Sequence, residues 1–125
     1  MAHDKHQLLL SELSQILKPL FNKSPQGIIL YLDDHHKTCN KAYAKMLGYK
    51  SVKAWEDNEY PVDDIDEKDQ PLAIKAFMKA SEKFQAGTVA GTLKKQNGKK
   101  IKAEITLTPL PYKGETFVLE FFSKS

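Results

Sequence analysis

The chain has 125 residues, enough for one compact domain, with 41% hydrophobic and 28% charged residues and a formal net charge of +3. The two signs are interspersed, which argues against a basic nucleic-acid stripe, and the cluster Lys94, Lys95, Lys99 and Lys100 brackets a turn and reads as a solvated hairpin tip. Cys39 is the single cysteine, so an intrachain disulfide framework is excluded and a cysteine-built zinc site is argued against; Leu8-Leu9-Leu10 stops at Ser11-Glu12, too short for a signal segment or a membrane span.

These features predict a soluble protein of a reducing, cytoplasmic compartment, bound to neither nucleic acid nor membrane. Asp4 to Lys18 reads as an amphipathic helix. Leu9, Leu13, Ile16 and Leu20 recur at heptad-like spacing, and Leu10 and Leu17 widen the stripe. Pro19 is expected to end or kink it, because its ring clashes with the preceding turn. Ser24-Pro25-Gln26-Gly27 is a turn. Ile28 to Leu32 is a short apolar strand, covered on both faces. A polar turn from Asp33 to Lys37 leads into a second strand beginning at Thr38-Cys39. Asn40 caps a helix over Lys41 to Leu47, and Gly48 closes it in the left-handed conformation, with Tyr49 packing back on Ala44.

Short helical turns are expected between Ser51 and Asp64, around Trp55, Tyr60 and Pro61. Asp69 and Pro71 open a longer helix running to about Gln85, with Leu72, Phe77, Ala80 and Phe84 near one face and Gly87 after its end. Three strands follow. Thr88 to Lys95 meets Lys100 to Pro109 across Gln96-Asn97-Gly98-Lys99, and Asn-Gly is a strong hairpin signal. Ile101, Ala103, Ile105 and Leu107 alternate with polar residues, the pattern of a half-buried strand. Thr116 to Phe122 carries Phe117, Leu119 and Phe121 on one face and Val118 and Phe122 on the other, interrupted by Glu120. Two apolar faces predict an interior strand with the first helix packed behind the sheet.

The order of elements, and the residues, resemble the PAS domain family. Gly27-Ile28-Ile29-Leu30-Tyr31-Leu32-Asp33 is similar to the family's opening strand. Cys39-Asn40-Lys41-Ala42-Tyr43-Ala44-Lys45-Met46-Leu47-Gly48-Tyr49 resembles its segment of Asn, a helix with small and aromatic residues, and Leu-Gly-Tyr. Asp66-Glu67-Lys68-Asp69 stands where many members have His-Pro-Glu-Asp. The resemblance covers Ser24 to Phe122. It implies an α+β fold with a five-stranded antiparallel sheet in the order 2-1-5-4-3, helices on one face enclosing a small pocket, and residues 1–23 as an N-terminal amphipathic helix added to a domain over 24–125. It also implies intracellular sensing, dimerisation or protein interaction in signal transduction, with a signalling protein as partner.

The sequence holds no phosphate-binding glycine loop, no Gly-x-Ser-x-Gly elbow and no His-Glu-x-x-His, so it does not read as an enzyme. Family members that form a covalent flavin adduct carry Cys after Asn inside a short mid-domain helix. Cys39 instead precedes Asn40 at a strand end and reads as a buried structural thiol. Haem-binding members that use a helix His need one in the long helix, and Gln70 to Gln85 has none. Met78 and Met46 offer thioethers, but Met more often fills gaps in a core. No cofactor is expected, and a small ligand is left open. Asp33, Asp34, His35 and His36 share an extended turn from which side chains point apart, and His3 and His6 share a face of a fraying terminus, so no metal site is expected. Pocket candidates are Leu30, Met46, Trp55, Phe77, Phe84, Val89, Leu93, Ile105, Leu107, Phe117 and Leu119. Candidates for a homodimer interface are Leu9, Leu13, Ile16, Leu17 and Leu20. The rival to a ligand-binding sensor is a structural homodimerisation module with a filled core.

Overall fold

The computed structural model describes residues 4–125. Its order is α1 (Lys5–Lys23), β1 (Gly27–Asp33), β2 (His36–Cys39), α2 (Lys41–Leu47), α3 (Val52–Glu56), two single 3-10 turns (Pro61–Asp64 and Glu67–Asp69), α4 (Gln70–Lys83), β3 (Gly87–Lys94), β4 (Lys100–Tyr112) and β5 (Glu115–Lys124). The strands form one antiparallel sheet in the order β2-β1-β5-β4-β3, as the sequence reading expects. The last hairpin turns on Lys113 and Gly114, both with positive φ, which matches the right-handed twist of its strands.

The first helix is longer than its sequence predicts. It starts at Asp4, whose side chain accepts from the Gln7 N–H, and runs through Pro19 to Lys23. Proline removes one intrahelical hydrogen bond, but Leu17 and Phe21 on either side pack against the sheet, and that burial holds the last turn. Further along the chain, α4 stops at Lys83 rather than near Gln85. Phe84 takes the left-handed cap position, φ 59°.

Asn40 ties three elements together. Its Oδ1 accepts from the N–H groups of Ile28 (2.9 Å) and Tyr43 (3.0 Å), and its Nδ2 donates to the Gln26 carbonyl (3.0 Å). Gly27 lies so close to α2 that an added Cβ would meet the Tyr43 ring at 2.9 Å. Gly48 is left-handed at the end of α2, and the Tyr49 N–H returns to the Ala44 carbonyl, as predicted.

The sheet separates two cores. On one face α1 places Leu9, Leu10 and Leu13 on Ile28, Leu30, Phe117 and Leu119. On the other, α2, α3 and α4 cover Ile29, Ile105, Leu107, Val118 and Phe122. This reverses the sequence assignment of β1 and β5. Leu30, Phe117 and Leu119, expected in the pocket, lie under α1, whereas Val118 and Phe122, on the opposite face of β5, meet the short helices. A strand that is apolar on both faces does not reveal which face meets which layer; pairing with β4 decides it, because Ile105 stands opposite Phe122 and Leu107 opposite Glu120.

Candidate functional site

Between the sheet and α2 to α4 lies a cavity of about 140 Å³. Five aromatic rings wall it: Tyr31, Tyr43, Trp55, Phe77 and Phe122. They brace one another edge to face, Tyr31 on Phe77 at 5.0 Å and Tyr43 on Trp55 at 5.7 Å between centroids. Pro61, Val62 and the exposed Ile74 form the outer rim, between the first 3-10 turn and α4.

Of the predicted pocket residues, Trp55, Phe77, Ile105 and Leu107 line this cavity. Met46, Val89 and Leu93 stand on the same side of the sheet but are spent in packing beside it. Phe84 is 56% exposed, because the left-handed cap turns it off the end of α4. Met78 is also exposed. Cys39 is buried at the end of β2, and burial pushes its thiol up to about 12, so it is an unreactive core group.

The side chains that the sequence reading passed over are the ionisable ones. Glu120 projects from the middle of β5 into the cavity, paired across the sheet with Ile29 on one side and Leu107 on the other. It is half-buried and accepts no hydrogen bond from any described residue, and partial burial raises its pKa to about 8. The interruption of an apolar strand face by one acid is the signal that marks it. Asp34, from the turn after β1, also lines the cavity and accepts the Tyr31 hydroxyl. No Lys, Arg or His lines the cavity among the described residues, so both ionisable groups other than phenols are acids.

A third acid, outside the cavity lining, holds the wall in place. Asp64 is buried at the end of the first 3-10 turn and accepts three hydrogen bonds, from Trp55 Nε1 (2.8 Å), Tyr43 Oη (3.1 Å) and Tyr49 Oη (2.5 Å). Burial raises its pKa, and the three donors oppose that rise. Lys37, also buried, donates to the carbonyls of Asp34 and Glu56 (3.0 Å for the latter), with its Nζ 5.6 Å from the Trp55 ring centre. The irregular segment between α2 and α4 is thus fastened by polar contacts, which hold Trp55 at the edge of the space instead of letting it collapse inward.

A sequence-family profile for the PAS domain matches residues 15–81. The chain belongs to the PAS domain family, whose members are sensory domains of signal-transduction proteins. Its fold is similar to that of a PAS domain from a two-component sensor histidine kinase (TM-score 0.66, 22% identity, covering 92% of this chain and 99% of that one). It is similar also to the PAS domain of an HTR-like protein from Haloarcula marismortui (TM-score 0.63, 19% identity, covering 98% and 100%). An RNA-binding light-oxygen-voltage receptor shares the fold over 91% of this chain and 33% of its own (TM-score 0.69, 18% identity). Among curated proteins, none matches the chain. No helix of the described residues is long and apolar enough to cross a membrane.

Proposed function

We propose that the chain is a ligand-binding sensor domain whose cavity takes a small, largely apolar amine. The observation that carries this reading is the unpartnered Glu120 carboxyl inside a cavity walled by five aromatic rings. A protonated amine would supply both the hydrogen bond and the counter-charge that Glu120 lacks, and ring faces attract cations. The cavity size supports a ligand of about benzene's bulk, since an apolar cavity of about 150 Å³ holds benzene. Glu120 also stands next to the α1 contact: its neighbours Leu119 and Phe121 belong to the cluster under α1. A change at the carboxylate therefore reaches the helix through one strand.

Calorimetry and native mass spectrometry with benzylamine, benzyl alcohol and benzoate test the reading. Benzylamine is expected to bind best and benzoate not at all, and Glu120→Gln to weaken the amine at least tenfold. Failure of every short alkyl and benzyl amine to bind at millimolar concentration refutes it, as does unchanged amine binding by the Glu120→Gln variant.

The output of the same proposal is a homodimer on the outer side of α1. Leu9 and Leu13 are consumed by the chain's own sheet and Leu17 is half-buried, but Leu8, Ile16 and Leu20 remain exposed along one ridge. A two-fold contact would cover them, at about 1.5–3 kcal/mol for each fully buried side chain. Sedimentation velocity of the wild type and of Ile16→Glu with Leu20→Glu decides it; a wild-type monomer at tens of micromolar refutes the dimer.

A further inference from the structure

Away from the cavity, one cluster gathers residues far apart in sequence. His6 lies in the first turn of α1, Asp33 ends β1 and His36 begins β2, and one ligating atom from each comes within 4.8 Å of the others. The Asp33 carboxylate faces both rings: Oδ1 is 2.7 Å from His36 Nδ1, and Oδ2 is 3.9 Å from His6 Nδ1. The outer nitrogen of each ring faces another acid. His36 Nε2 is 2.7 Å from Asp4 Oδ2, and His6 Nε2 is 3.5 Å from Glu115 Oε2. All three central residues are half-buried.

We propose that His6, Asp33 and His36 bind a divalent transition metal, with zinc as the type cation, and that the metal clamps α1 to the turn between β1 and β2. Two imidazoles and one carboxylate form a donor set that suits zinc. Bonds of about 2.0–2.1 Å in a tetrahedron set ligand atoms about 3.3 Å apart, and the three ligating atoms already stand within 4.8 Å of one another, so side-chain shifts of about 1 Å complete the site. A water fills the fourth position. Asp4 accepts the outer N–H of His36, which fixes that ring's tautomer and orientation and strengthens its donor nitrogen, and Glu115 stands 3.5 Å from the outer nitrogen of His6. Three carboxylates around two imidazoles give the place the negative charge that a dication needs. The sequence hides this set because His6 lies 27 residues before Asp33; only the docking of α1 brings them together.

The test is zinc chloride titrated into EDTA-treated protein by calorimetry, with cobalt as a spectroscopic probe of tetrahedral geometry. One zinc per chain is expected, at micromolar affinity or tighter, with a rise in the melting temperature. His36→Ala and His6→Ala should each weaken binding at least tenfold and abolish the rise. His35→Ala, on the same turn but exposed, should change neither. Circular dichroism of each metal-free variant checks folding, and His6→Gln serves should His6→Ala fail to fold. No saturable zinc heat at millimolar metal overturns the proposal. So does affinity retained in both His6→Ala and His36→Ala, or affinity lost in His35→Ala.

Discussion

The two faces of the one sheet solve opposite packing problems. Under α1 the contact is dry: Leu9, Leu10 and Leu13 meet Ile28, Leu30, Phe117 and Leu119, a core of aliphatic and aromatic side chains alone. Under α2 to α4 the same strands present Glu120 among apolar neighbours, and the part of the cover before α4 is made of short turns fastened through Asp64 and Lys37. A continuous helix fills space with regular ridges; short turns pinned by hydrogen bonds leave a cavity. The α1 face is packed from apolar side chains, and the other face combines buried polar ties with the cavity.

The largest expected effect breaks the pinned face. Asp64→Ala leaves the two buried donors Tyr43 and Trp55 without their acceptor, at about 1–3 kcal/mol each, so a loss of about 2–6 kcal/mol is expected in urea unfolding. A loss below 1 kcal/mol would mean that the irregular wall does not depend on its buried acid. Next comes the dry face, where Leu13→Ala should cost about 2–5 kcal/mol through lost transfer energy and an unfilled cavity. Amine binding measured in the same variant sharpens the contrast: it should persist if the two faces are separate in packing, and fall only as the folded fraction falls.

The third effect depends on pH. Glu120 has its folded pKa raised from 4.5 to about 8, so the folded state holds a proton that the unfolded state has released between those values. Stability should then decline as pH rises through that window, by at most about 5 kcal/mol, with water in the cavity reducing the figure. Urea midpoints from pH 5 to pH 9 for the wild type and for Glu120→Gln measure this (about four pH units, covering most of the shift). The variant should lose most of the slope and exceed the wild type at the alkaline end; parallel curves would sink the assignment. The smallest effect is at Gly27. Gly27→Ala places a methyl against the Tyr43 ring and should cost about 1–3 kcal/mol by overpacking, detectable as a lower thermal midpoint. An unchanged midpoint would show that α2 yields at that contact.

Much of this architecture was legible in the residues. Asn40 and Gly48 mark both ends of α2, Asn97-Gly98 marks a hairpin, and two-faced apolarity in β1 and β5 places them inside the sheet. Pro19 misled because a local rule was overridden by the packing of Leu17 and Phe21. Phe84 misled because helical periodicity continues in sequence beyond the point where the backbone turns left-handed. The cavity was half legible: Trp55, Phe77, Ile105 and Leu107 line it, while Leu30, Phe117 and Leu119 do not.

By itself, then, the sequence determined what depends on neighbours along the chain: caps, turns, the alternation of each strand and the order of elements. Tertiary structure alone decided which face of β5 meets α1, and hence that Glu120 points into the cavity. It alone decided that His6 meets Asp33 and His36. The physical reason is common to both. Alternation fixes that side chains at i and i+1 diverge, but which of two apolar faces is covered by which layer depends on contacts between segments far apart in the chain.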